Sequence, residues 1–383
     1  MSIAVKRLLG FAIAALAVMV GETRAQQPPP VPDELRRAFT TAMFVDMNHG
    51  FVFGGVPTAV IGTDDSGVTW RLVLDLPGGG SQEGLVSAFF LDANRLWLLT
   101  GDRTGAAKLY RSRDGGRTLE SQEPTFVLPR SGRRTGLDGQ LFFRTELEGW
   151  CASGEVLLKT TDGGTTWQPA LAPGASVYMH EIRMFDEKEG IGWDRRTVSR
   201  TTDGGKTWAR VPNSPGLRQM SCTGTGFCAG LVSTYGPVFV SRDRGQTWQD
   251  TQIPLKPDEQ DWITAIHAFA LNGVVAVGSD VGFTRSELSR YVGTGTPAPA
   301  FQANALLLKW DGSTWTRITH VEPRQFAGVH FVDANNGWLP AYENTIYRTT
   351  DGGQTVTFVP DYFRQIAALA PSPTPFVLPT PSP

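Results

Sequence analysis

The stretch that decides the fold is KTTDGGTTWQP, residues 159–169, which returns at residues 200–210 as RTTDGGKTWAR. Repetition of this kind outranks any single motif as a guide to architecture. Searching for Ser/Thr-x-Asp-x-Gly-x-Thr-Trp gives TDDSGVTW from Thr63, SRDGGRTL from Ser112, TTDGGTTW from Thr160, TTDGGKTW from Thr201 and SRDRGQTW from Ser241. TTDGGQTV from Thr349 completes the full-length set, and KWDGSTW at residues 309–315 is one residue short. The anchors are Asp65, Asp114, Asp162, Asp203, Asp243, Asp311 and Asp351, and the closing tryptophans are Trp70, Trp167, Trp208, Trp248 and Trp315. Leu119 and Val356 stand where two copies lack the ring.

A second pattern precedes most boxes: an alternating run, a polar turn, then an aromatic after glycine, as in FFRTELEGWCASG and VHFVDANNGWLPA. Each period therefore reads strand, turn, strand, loop, strand, box, strand, with short apolar strands bounded by Asn, Asp and Gly. Four strands in about 40–50 residues is the rhythm of a propeller blade, and seven such periods predict an all-β, seven-bladed β-propeller of four-stranded blades. High glycine and proline, 43 and 26 in 383 residues, agree with many turns.

Physical chemistry assigns the box a structural role. Its aspartate can accept backbone N–H bonds within a tight turn, its glycine takes a backbone conformation other residues resist, and its tryptophan offers a large apolar surface to pack between sheets. Carboxylates spread around a ring cannot converge on one substrate, so a catalytic or metal-binding row of aspartates is not expected.

The ends of the chain carry different signals. Lys6 and Arg7 precede an uncharged apolar run, residues 8–21, and TRA ends at Ala25. This reads as a cleaved export signal, since the run is short against the roughly 20 residues that span a bilayer. The expected organisation is signal peptide 1–25, linker 26–37, propeller 38–360 and a proline-rich tail 361–383. No stable membrane anchor is expected, and the destination is periplasmic or extracellular. A formal charge of −2 gives no footprint for nucleic acid. Export permits disulfides. Cys222 and Cys228 flank a Gly-Thr-Gly turn and can bridge a hairpin, which leaves Cys151 without a partner. The five histidines show no metal-ligand spacing, and no cofactor or metal is expected.

These strings resemble the Asp-box, or bacterial neuraminidase, repeat. Within that superfamily the chain resembles most the photosystem II assembly and stability factors, in export, length, GW hairpins and TTDGG-x-TW boxes. The resemblance implies a non-enzymatic scaffold, expected to be monomeric, that binds a partner protein through an acidic or membrane-protein segment. In a photosynthetic source it implies the thylakoid lumen or its equivalent. The superfamily also contains sialidases and xyloglucanases, so a glycosidase is the alternative. The sialidase Arg-Ile-Pro stretch is missing before Thr63, and the one tempting cluster is Arg285, Glu287, Arg290 and Tyr291.

Blade geometry locates the expected site. In an up-and-down blade the turns after strands one and three share one face, and the loops after strands two and four share the other. The boxes mark the first face; sites in Asp-box enzymes, by resemblance, lie on the second. On that second face the sequence places Arg103, Arg130, Arg133, Arg134, Arg195 and Arg196, against Asp102, Glu123 and Asp194. Arginine's planar fork suits carboxylates, and the photosystem factors resemble this chain in carrying an arginine patch. The same face should carry an insertion in blade six, about residues 279–304, which accounts for the 68-residue gap between Asp243 and Asp311.

Overall fold

The computed structural model describes residues 41–54, 58–76, 84–102, 106–124, 139–256, 261–270, 272–280, 303–322, 325–341 and 345–359. The signal segment, the linker, the tail and all but the ends of the blade-six insertion lie outside the described residues.

Seven antiparallel sheets, each built from four consecutive strands, occupy residues 41–76, 84–122, 140–169, 181–210, 219–250, 262–320 and 330–358. This is the all-β seven-bladed propeller. Innermost strands of neighbouring blades lie against each other, as Gly84–Phe90 does on Gln140–Phe143 and Trp262–Phe269 on His330–Phe331. Second strands are sandwiched between neighbouring blades on both faces, so they do not alternate. Every residue of Leu96–Gly101, Gly149–Ser153, Cys228–Leu231 and Gly337–Ala341 is buried. Fourth strands form the rim. They shrink to two exposed or half-buried residues in blades three, four, five and seven, which blunts the open edges against strand addition.

Among the described residues no strand is exchanged at the ring closure, and each sheet is built from four consecutive strands. Blade seven instead packs on blade one, where Trp338 stacks on Phe44 with centroids 3.5 Å apart and planes at 7°. The Trp338 indole N–H donates to the Ser66 carbonyl in the first box, at 3.3 Å. Blade two meets blade three the same way: Trp97 stacks on Phe143 at 3.8 Å and donates to the Gly163 carbonyl at 2.9 Å. Closure is therefore one more copy of an internal junction.

Candidate functional site

The third box shows what its residues do. Thr160 Oγ1 donates to Asp162 Oδ1 at 2.8 Å and accepts the amides of Asp162 at 3.3 Å and Gly164 at 2.9 Å. Asp162 in turn accepts the Thr166 amide at 2.8 Å and the Thr166 hydroxyl at 2.7 Å. The same bonds recur around Asp65, Asp114, Asp203, Asp243 and Asp351. Gly163 and Gly164 sit at φ +76° and +96°, and a Cβ on Gly164 would press into Leu109 of blade two. Asp311, in the shortened copy, accepts the Ser313 and Thr314 amides, with Lys309 where the others carry the hydroxyl. These carboxylates are spent on their own turns. Burial raises the pKa of Asp203, but its bonds to Thr207 and Thr201 outweigh that and hold it at about 2.

Every full-length box also grips the hairpin between strands one and two of its own blade. The Gly163 amide donates to Leu147 O, Gly204 to Lys188 O and Gly352 to Asn335 O, at 2.8–2.9 Å.

The box tryptophans depart in part from expectation. Trp70 and Trp167 are buried, but Trp208, Trp248 and Trp315 are only half-buried. They open the outermost strand, so part of each ring faces the rim. Among the described residues the fully buried tryptophans are Trp97, Trp150 and Trp338, all on second strands. Trp150 and Trp338 were signalled in the sequence as the aromatic after glycine in the hairpin before the box, whereas Trp97 follows Leu96 and was not.

Charges on the box face are consumed between blades. Arg117 reaches Asp64 at 2.7 Å, Arg113 reaches Glu146 at 2.8 Å, and Arg244 reaches Asp186 at 2.6 Å and Glu189 at 2.7 Å. Where a junction lacks a carboxylate, a carbonyl serves: Arg242 donates to Gly312 O at 2.9 Å, and Lys309 donates to Ala334 O.

The opposite face is built differently. Arg195 and Arg196 lie exposed in the loop between strands two and three of blade four. Buried Asp194 shapes that loop by accepting the Arg196 amide at 2.7 Å and the Thr197 amide at 2.6 Å. The segment entering blade five seats on it: Leu217 N donates to Asp194 O at 3.2 Å, and Gly216 packs so closely on the Arg195 backbone that no side chain fits there. This brings exposed Arg218, not singled out from sequence, onto the same junction. Among the described residues none of the three arginines has a carboxylate partner. Exposed Tyr178, at the entry to blade four, and Tyr235, in the strand two-to-three loop of blade five, share this face. Arg103, Arg130, Arg133 and Arg134 lie outside the described residues, as do Arg285, Glu287, Arg290 and Tyr291.

Cys222 and Cys228 form a disulfide between strands one and two of blade five. Cys151 is buried and unpaired, and burial pushes its thiol up to about 12, far from a reactive thiolate. No cluster of metal-ligating side chains occurs among the described residues. At the base of the blade-six insertion, Arg317 clamps Asp261 at 2.7 and 2.9 Å and Asp280 at 2.7 Å.

Residues 136–296 match the family described as photosynthesis system II assembly factor YCF48. Over that segment, less than half of its length, the chain is similar to YCF48. Among solved structures, YCF48 bound to D1 peptide is similar at a TM-score of 0.54 and 17% identity, covering 85% of this chain and 95% of that one. YCF48 from Cyanidioschyzon merolae is similar at 0.52 and 16%, covering 74% of this chain and 87% of that one. The WD40 propeller domain of Doa1, at 0.51 and 11% over 83% of this chain and 94% of that one, shares the fold. No curated protein matches.

Proposed function

We propose that this YCF48-like propeller is an exported, non-enzymatic scaffold that holds an acidic segment of a partner protein on the face opposite its boxes. The observation that carries the reading is the contrast in arginine use. On the box face arginines bridge blades, whereas Arg195, Arg196 and Arg218 stand exposed without carboxylate partners, with Tyr178 and Tyr235 exposed on the same face. Arginine and tyrosine are the residues over-represented in protein interfaces. A relative of this fold is known bound to a D1 peptide, which supports a protein segment as the ligand. Arg103, Arg130, Arg133 and Arg134 extend the same patch in this reading. Export is supported by residues 1–25 and by the disulfide, which suits an oxidising compartment. Nothing in the described residues favours the glycosidase alternative.

The test is binding of the D1 peptide, and of an unrelated acidic peptide, to the parent chain and to the Arg195→Ala/Arg196→Ala/Arg218→Ala variant. Binding by the parent that weakens with salt, and falls at least tenfold in the folded variant, is expected. Equal binding by parent and variant at low salt would overturn the arginine face.

A further inference from the structure

The innermost strands form a collar round the propeller axis, and one register in it is shared by six blades. Met43, Phe89, Phe142, Arg183, Ser221 and His330 each stand one residue before the end of strand one, set by the pairing of that last residue with strand two. At this register side chains address the following blade. Ser221 Oγ accepts the Ala268 amide of blade six at 3.0 Å, His330 donates to the Phe44 carbonyl of blade one, and Phe89 meets Phe142 edge-on at 5.3 Å. Polar side chains elsewhere on the innermost strands act alike: Ser87 accepts the Leu141 amide at 2.9 Å, Gln219 accepts that of Ile266 at 3.2 Å, and His267 bonds the Phe331 carbonyl at 3.0 Å.

Arg183 breaks this rule. Its strand neighbours Ile182 and Met184 are buried against blade three, while Arg183 itself is half-buried on this innermost strand, with its guanidinium turned back over blade three. Its guanidinium carbon lies 5.2 Å from the centre of the Phe142 ring, and its Nε is closed to solvent with no hydrogen-bond partner. No carboxylate pairs with it among the described residues. Glu181, two residues earlier on the same strand, has an interaction of its own. Burial alone acts on the guanidinium, lowering its pKa from the usual value, yet arginine stays charged at any physiological pH. An enclosed cation without a counter-ion is costly to keep, while the residue as a whole is not sealed off, being half-buried.

We propose that Arg183 is the anchor of a carboxylate-binding site within the propeller channel. A planar, singly charged carboxylate matches the guanidinium fork and neutralises it one for one. The apolar ring of Phe142, which the guanidinium faces, disfavours a doubly charged, strongly hydrated ion such as phosphate. Two sources share this chemistry: a free small carboxylate, and the carboxylate of a protein segment entering the channel. The site is independent of the exposed arginines on the face.

The test uses the full chain, with acetate as probe and chloride holding ionic strength constant. Acetate is expected to raise the melting temperature of the parent and to leave that of Arg183→Met unchanged, while Arg183→Met in chloride melts no lower than the parent. An equal acetate response in both proteins, or none in the parent, overturns the proposal. Should the variant fail to fold, titration of the parent with ¹³C-acetate decides: saturable exchange broadening upholds the site, and a linear response overturns it. A peptide with a free C-terminal carboxylate and its amide then distinguish the sources. Displacement of acetate by the acid at tenfold lower concentration than by the amide assigns a protein segment. Displacement by neither assigns the free ion, and the site stands in both cases.

Discussion

The two faces of this propeller are made from the same kinds of residue put to opposite use. On the box face, arginines and aspartates are tied down: Asp162 by Thr160 and Thr166, Arg244 by Asp186 and Glu189. On the other face Asp194 serves its own loop, and Arg195, Arg196 and Arg218 are left to solvent. The difference teaches that a repeated, charged motif can be wholly structural, while other charges on the same fold are left unpaired and open to a partner. It also predicts a gradient, with stability concentrated at the blade junctions and box face and binding on the loops opposite.

The largest loss of stability is expected at a blade junction. Trp97→Ala removes a fully buried ring, its stack on Phe143 and its bond to Gly163 O, and should cost about 3–5 kcal/mol in urea unfolding. Trp208→Ala, at a half-buried rim position, should cost clearly less. Equal costs would contradict the assignment of the junction role to second-strand rings.

Acid should reveal the collar before the boxes. His267 is enclosed beside His330, with ring centroids 4.2 Å apart, and burial lowers its pKa to about 4. The unfolded chain therefore takes up this proton first as pH falls. Stability should decline from about pH 6.5 to about 4 and then level for this group. The box aspartates act lower: Asp203, held at about 2, contributes above its unfolded value near 4 and loses that contribution as pH falls through about 2. Melting curves of His267→Gln and Asp203→Asn against pH should each flatten one window and leave the other. Flattening of the same window by both would merge what the structure separates.

Within one box, Asp162→Ala leaves the Thr166 amide and hydroxyl without their acceptor and should cost about 1–3 kcal/mol, with ligand affinity unchanged. A fully stable variant that had lost binding would give the box a functional role. The smallest effect on stability belongs to the other face: the Arg195→Ala/Arg196→Ala/Arg218→Ala variant should unfold within about 0.5 kcal/mol of the parent, while losing acidic-segment binding. A large destabilisation would show that these arginines carry structure after all.

The repeat, the blade count, the box turns and the hairpin cysteines were legible because each is local. A Ser/Thr-x-Asp-x-Gly string folds on its own few residues, and Cys222 and Cys228 face each other across one turn. Legibility stopped where a residue's partner sits in another blade. The box tryptophans looked like the inter-blade packing element, yet Trp97 and Trp338 stack on Phe143 and Phe44 of the following blade, 46 residues ahead in one case and across the ring closure in the other. Arg218 went unmarked because only the seating of Gly216 on Arg195 brings it to Arg195 and Arg196.

The sequence by itself determined the number of blades, the path of each and the face its box occupies, since short-range hydrogen bonding and alternation suffice for those. Tertiary structure alone decided which charges are spent and which remain. A guanidinium is neutralised by whatever lies within a few ångströms, and in a ring of seven sheets that neighbour is set by the packing of one blade on the next. EIRM in blade four reads as any half-buried strand. Only when the blades assemble does Arg183 become a half-buried charge whose Nε is closed off without a partner.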